Sequence, residues 1–337
     1  MKISDKPKLL PRFPTGWYAL CLARDLHPGE MKTLQFAGEE IVLFRTQSGA
    51  VSALEAYCPH LGAHIGYGGK VKGECVRCPF HGFEYNVRGE CTSTPYGTRI
   101  PPKANARTFP AVERNGLIMA YFDGDGNPPA WDIPALNWEG WSPLITQDWT
   151  FRGHPQETTE NSVDIGHFTE IHGYTGVGLL KELRADGPYL TTQYKMTRAN
   201  GLLGQPVSTE FEIHVHGLGY SLVEVHVLRF EIFSRLFVLA TPTDGENIHL
   251  RIALSMLEDT HPDNIHPLLG LVPRRYLNKI IARETLKGFA HDVQQDFVIW
   301  QNKRYVQPPI LAEGDGPIGK YRQWAKQFYT AEERVLI

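Results

Sequence analysis

The sequence predicts an α+β protein in two parts: a small antiparallel β-domain, then an antiparallel sheet packed on a long C-terminal helix with a cavity between them. Three observations predict it. From Trp17 to Phe122 short apolar and aromatic runs are punctuated by glycine and proline, the pattern of closely spaced strands. Beyond a segment dense in Gly, Pro, Asn and Trp between Asp123 and Pro143, longer strand-like runs follow one another. A helical pattern from about Leu268 to Trp300 closes the second part. The expected domains are residues 1–140 and 141–337.

In the first domain the strands are read at Trp17–Ala23, Glu40–Phe44, Val51–Leu54 and Leu117–Phe122. In the second, residues 156–172 read as one helix with a polar entry. Five strands are then expected at Tyr189–Met196, Val207–Val215, Tyr220–Val227, Phe230–Ala240 and Ile248–Leu257. The charged run Lys181–Arg184 reads as a solvated face. Apolar residues between Leu202 and Leu239 are the candidate cavity walls.

Charge and composition exclude several classes. With 34 basic against 37 acidic side chains and a net charge of -3, the chain offers no polycation for nucleic acid or anionic lipid. No stretch approaches the ~20 apolar residues of a membrane-spanning helix, and the charged, proline-rich start (Lys2, Asp5, Lys6, Pro7, Lys8) lacks the apolar core of a signal peptide. Five cysteines, an odd and sparse set, argue against a disulfide framework and for a reducing, cytoplasmic setting.

Two loops carry the first constellation. Cys58-Pro-His60-Leu-Gly62 and Cys78-Pro-Phe-His81-Gly82 each offer one thiol and one imidazole. Such a set could hold tetrahedral zinc, or a [2Fe–2S] cluster with both cysteines on one iron and both histidines on the other. The one-residue gap between Cys58 and His60 favours the cluster. Prolines stiffen the loops, and the glycines let backbone amides approach the sulfurs. Cys75, Cys21 and Cys91 read as ordinary strand or core residues.

The second constellation is His167 and His172, five positions apart. On a straight helix that spacing is a rotation of about 140°, so convergence on one ion needs a break or bulge between Gly166 and Gly173. Two histidines and one carboxylate with open positions is the set that non-haem Fe(II) oxygenases use for O₂. The carboxylate is expected from the late helix. Its apolar stripe is Phe289, Val293, Phe297 and Trp300; Asp296 falls inside the stripe and Asp292 on its flank. A carboxylate so buried calls for a cationic partner. His214 and His216 form a same-face strand pair, read as pocket lining or surface.

Taken together, Cys58, His60, Cys78 and His81, followed by Asn161-x-x-Asp164-x-x-His167-x(4)-His172 and a late Asp296, resemble the oxygenase components of Rieske non-haem iron oxygenases. Ala63 and Phe80 stand where respiratory Rieske proteins carry a further cysteine pair, which points to the lower-potential kind. The run Gly68–Gly82, Pro95-Tyr96 and the ending from Ile299 to Tyr329 are most similar to the cholesterol 7-desaturase and 3-ketosteroid 9α-hydroxylase groups, and Gly82 follows the desaturase pattern.

That resemblance implies a Rieske [2Fe–2S] domain followed by a helix-grip (START-like) catalytic domain. It implies mononuclear Fe(II) on His167, His172 and Asp296, with O₂ as co-substrate. It also implies a homotrimer, in which His81 of one subunit reaches His167 of the next through Asp164. By the same resemblance Asn161 would stand beside the iron. Asp164 would accept the free imidazole N–H of each ring. No nucleotide-binding Gly-rich turn is found, so electrons should come from a separate NAD(P)H reductase, directly or through a ferredoxin. The expected reaction is hydroxylation of a C–H bond in a hydrophobic polycyclic substrate, a steroid. Sterol desaturation and aromatic-ring dihydroxylation are the alternatives, followed by a simple electron carrier.

Overall fold

The computed structural model describes residues 10–97, 99–199, 206–258, 273–335 and 337. Two compact units emerge: one holds 15–136 with 241–245, the other 137–240 and 246–337 together with the segment before residue 15. The change of unit near 136 falls inside the Gly/Pro-rich stretch. The short insertion 241–245 could not be foreseen, because it sits at the tip between two strands of the later sheet.

The first unit is built from eleven short strands. They are β1 (Gly16–Leu22), β2 (Met31–Phe36), β3 (Glu39–Arg45), β4 (Val51–Glu55), β5 (Lys70–Lys72) and β6 (Cys75–Arg77). Then come β7 (Glu84–Asn86), β8 (Cys91–Ser93), β9 (Thr108–Phe109), β10 (Ala111–Arg114) and β11 (Leu117–Phe122). Three antiparallel sheets result, ordered β1-β11-β10, β2-β3-β4-β9 and β5-β6-β7-β8. The last of these carries the loop from Cys78 between its strands β6 and β7, while the loop from Cys58 leads into it from β4. Val42, Phe44, Leu54, Ile65, Val76 and Tyr85 form the core beneath both loops, and the two thiols belong to it.

The second unit opens with β12 (Ile145–Arg152), α1 (Pro155–Glu160), α2 (Ile165–Glu170) and β13 (Tyr174–Asp186). It continues through β14 (Tyr189–Arg198), β15 (Val207–His216), β16 (Tyr220–Val227), β17 (Ile232–Pro242) and β18 (Asn247–Met256). It closes with α3 (Arg274–Asn302) and α4 (Ile318–Ala325). The sheet is antiparallel with seven strands, ordered β12-β18-β17-β16-β15-β14-β13.

All five expected strands are present, and two were not foreseen. The strand β12 mixes charge with aromatics and shows no clean alternation. The edge strand β13 is largely exposed and slips register three times against β14, so its sequence carries almost no period-two signal. Lys181 lies on it, exposed and paired with Glu212 at 2.7 Å, in keeping with a solvated face.

The long helix α3 packs on the sheet through Ala290, Val293 and Trp300, against Phe151 of β12 and Ile248, Leu250 and Ile252 of β18. The part of the expected helix before residue 273, like the expected wall residues 202–205, lies outside the described residues. The single helix expected over 156–172 is instead two short ones. His154, extended at φ -138 and ψ 138, caps α1 by accepting the Gln156 amide at Nδ1, with Pro155 next to it. Asp164, also extended, restarts the chain as the N-cap of α2, so the residues between have no continuous helix.

Candidate metal centres

The two cysteine–histidine loops fold alike. Each cysteine amide donates to the carbonyl five residues on (Cys58 to Ala63, 2.8 Å; Cys78 to Phe83, 2.8 Å). Each cysteine carbonyl accepts from the loop glycine, Gly62 at 2.9 Å and Gly82 at 3.1 Å. Both glycines have positive φ, +73 and +66, a conformation that side chains resist, so these closures require glycine. The result buries both sulfurs and leaves His60 and His81 half-exposed at the tips, rings 4.8 Å apart.

His60 stacks on Phe83 at 4.4 Å, and the Tyr85 hydroxyl lies 3.0 Å from the Cys58 sulfur. Burial pushes the Cys78 thiol above its usual range, while the Phe80 and His81 amides pull it back. Amides and a hydroxyl aimed at buried sulfurs suit a metal–thiolate site, which is strengthened by such donors. Phe80 is exposed at the loop tip, and Ala63 cannot bridge to it. All five cysteines are free; Cys75 lies in β6 and Cys91 in β8.

The second site is assembled from α2, the turn after it and α3. The carbonyl of His167 accepts from the amides of Ile171 (2.9 Å) and His172 (3.4 Å), and Gly173 at φ +67 ends the helix. This widened, π-type exit is the break that the spacing demanded, and it brings the two rings to 5.0 Å. Asp296 comes from α3, 6% exposed inside the apolar stripe, with its Oδ2 3.6 Å from His172 Nε2. One donor atom from each of His167, His172 and Asp296 lies within 4.8 Å of the others.

The outer nitrogens of the rings are occupied. His167 Nδ1 donates to the main-chain carbonyl of Asp164 at 2.5 Å, and His172 Nδ1 donates to Gln295 Oε1 at 2.9 Å. In this tautomer both Nε2 lone pairs face inward as ligands. The expected role of the Asp164 carboxylate therefore differs in detail. Its Oδ1 accepts the His167 amide at 3.2 Å as a helix cap and lies 3.9 Å from the ring, while the backbone oxygen takes the ring proton. A helix N-cap competes for the same carboxylate, and at this short range the cap wins.

Burial shifts the set in a telling way. It pushes Asp296 up to about 6, against the pull of His172 and of the Asn161 side chain, which donates to this carboxylate. Burial, then the neighbouring His172, pushes His167 down to about 4. Burial also raises Asp164, with the His167 amide opposing. The neutral His167 imidazole is a ligand already, and a divalent cation would offset the cost of a buried carboxylate. The residues therefore fit a two-histidine, one-carboxylate metal site.

A cavity of about 610 Å³ opens onto this site, lined by Asn161, His167, His172 and Asp296. Its walls are apolar residues of β15, β16, β17 and α3, such as Phe211, Val223, Leu236 and Phe289. His214 and His216 are not among its lining residues; His214 Nδ1 pairs with the Tyr189 hydroxyl at 2.7 Å. Four lining or supporting residues escaped the sequence: Gln295, Tyr174, Arg198 and, beyond its place on the flank, Asp292. A polar residue beside a buried Asp on an apolar stripe was the available signal for Gln295. Nothing local marks Arg198, which reaches the site across the sheet.

This pair of sites, on a Rieske-type β-unit and a sheet-and-helix unit, defines a Rieske oxygenase. A Rieske [2Fe-2S] domain model matches residues 16–110, and a 3-ketosteroid 9alpha-hydroxylase C-terminal domain model matches residues 120–329. The chain belongs to the Rieske oxygenases that carry this C-terminal domain.

Among relatives, cholesterol 7-desaturase nvd 1 of Ciona intestinalis is 30% identical, over 98% of this chain and 71% of its own length. The oxygenase component of 3-ketosteroid-9-alpha-monooxygenase from Rhodococcus rhodochrous is also 30% identical, over 96% of this chain and 83% of its own. The NdmA structure of Pseudomonas putida CBB5 with caffeine superposes with a TM-score of 0.70 at 18% identity, covering 92% of this chain and 89% of that one. Dicamba monooxygenase bound to dicamba gives 0.65 at 19%, covering 95% and 97%. These two likenesses carry the fold. Among the described residues no helix is long and apolar enough to cross a membrane.

Proposed function

We propose that the chain is the oxygenase component of a steroid monooxygenase, fed by a separate NAD(P)H-dependent reductase with or without a ferredoxin. The observation that carries this reading is the large apolar cavity ending on His167, His172 and Asp296. Its volume of about 610 Å³ falls within the ~300–1,000 Å³ of small-molecule pockets. A rigid polycyclic hydrocarbon nucleus suits such walls. The steroid names of both 30%-identical relatives point the same way.

Cys58, His60, Cys78 and His81 would hold the [2Fe–2S] cluster, and His167, His172 and Asp296 a mononuclear Fe(II). Bound there, these groups supply single electrons and the activation of O₂ toward an unactivated C–H bond. The chain's own part is positional. The Asp164 carbonyl and Gln295 fix the two rings, Asn161 orients Asp296, and the apolar walls exclude water and hold one C–H toward the ligand set. Asp164, partly exposed beside His167, is suited to receive His81 of a neighbouring subunit in the homotrimer that the family resemblance implies. The cysteine usage supports a cytoplasmic setting.

Incubating the reconstituted enzyme and a surrogate reductase with sterols and 3-ketosteroids, read by mass spectrometry, tests this. A product with one added oxygen atom is expected. A product short of two hydrogens would replace hydroxylation by the desaturation that the Ciona relative's name describes. A cis-diol, or no oxygen-dependent product from any steroid, would overturn the reading.

A further inference from the structure

One turn of α3 before Asp296, the cavity contains a polar cluster that holds none of the proposed ligands. Asp292, Arg198 and Tyr174 all line it. Arg198 Nη2 donates to Asp292 Oδ2 and, at 3.0 Å, to the Tyr174 hydroxyl, which itself donates to Asp292 Oδ2 at 3.3 Å. The guanidinium carbon also lies 4.9 Å above the Tyr174 ring. The three side chains come from α3, the end of β14 and the start of β13.

The triangle uses a single nitrogen of the guanidinium. Arginine has five N–H donors in a fixed fork. Among the described residues Nε and Nη1 make no hydrogen bond. The Asp292 and Arg198 side chains are 14% and 33% exposed, so the pair is half-buried among the apolar residues that line the cavity. Asp292 offsets the positive charge, which leaves donors without net charge.

The cluster is also close to the chemistry. Asp292 precedes Asp296 by four helical positions, a rise of about 6 Å, and the rings of His172 and Tyr174 are 6.4 Å apart.

We infer that Arg198, held by Asp292 and Tyr174, is the oxygen anchor of the substrate pocket, binding a neutral ketone or hydroxyl oxygen of an otherwise apolar molecule. The inference deepens the reading of this cavity as the substrate site and rests on it. A carboxylate would gain less, because Asp292 already neutralises the arginine.

The test measures binding by isothermal titration calorimetry to the iron-reconstituted full chain, using 5α-androstan-3-one and its parent hydrocarbon 5α-androstane. A second pair without the steroid nucleus, cyclododecanone and cyclododecane, runs beside it. The wild type should prefer a ketone to its hydrocarbon by at least about 10-fold, the worth of a charge-assisted hydrogen bond. The double variant Arg198→Leu/Asp292→Leu removes the ion pair as a unit and leaves no orphan charge. It should bind the hydrocarbon as the wild type does and cut the ketone preference below about 3-fold. Tyr174→Phe, which keeps the ring, should lower the preference by a smaller factor.

A ketone preference in the cyclododecane pair alone would retain the anchor and overturn the steroid reading. No ketone preference in either pair for the wild type, or an equal preference in the double variant, would overturn the anchor.

Discussion

The two candidate metal centres are built on opposite principles. In the first unit each loop is a local object: one cysteine, one histidine, a proline and a glycine close the same backbone turn twice, and the donors follow from chain geometry alone. In the second unit no element can present the site by itself. His167 and His172 meet only because α2 ends in a widened, π-type turn, and Asp296 reaches them only when α3 lies on the sheet. A local site survives loss of distant packing; a non-local one depends on it.

Breaking either centre should leave the other in place, which separates their roles. His172→Ala should abolish product formation while the visible absorption of the cluster stays intact. Residual turnover above about 1% of wild type would contradict the role given to that ring. Cys78→Ser should remove the visible chromophore and reductase-driven turnover, yet keep Fe(II) binding at the second site, as read by calorimetry on the purified variant.

Subtler changes sharpen the contrast. Gln295→Leu deprives the His172 Nδ1 proton of its acceptor, and Fe(II) affinity should fall about 10–100-fold with no change in the cluster spectrum. An unchanged affinity in a chelator competition would remove Gln295 from the site. Trp300→Ala opens the packing of α3 on Phe151, where the rings stack at 6.1 Å, and should cost about 3–5 kcal/mol in the second unit's denaturant unfolding.

The smallest effect concerns pH. Burial pushes His154 down to about 4, and its neutral form both caps α1 and donates to the Pro11 carbonyl at 2.8 Å. The folded pKa lies below the unfolded one, so the unfolded chain takes up the proton first as pH falls. Stability is therefore full above about 6.5 and falls as the pH drops from about 6.5 to 4. His154→Asn, which keeps a cap without the titration, should flatten that slope in pH-dependent unfolding.

The same contrast explains what could be read from the sequence. Cys58, His60, Cys78 and His81 are legible because their spacing is the geometry. His167 and His172 are legible only with the proviso of a break, and Asp296 only through its place in the apolar stripe. The split at Asp164 was missed because an N-cap in the middle of a polar run looks like any helical aspartate. The strand β13 was missed because an exposed, bulged edge has no buried face to set a period. Arg198, Tyr174 and Gln295 come together only across the fold, and no spacing within one element could announce them.

Iron and acid-labile sulfide, measured together on the wild type and on Asp296→Ala after anaerobic reconstitution with Fe(II), test most directly whether one chain holds both centres. Two separate centres predict iron in excess of sulfide in the wild type and equal amounts in the variant. Equal amounts in both proteins would contradict a second iron site and leave only the cluster.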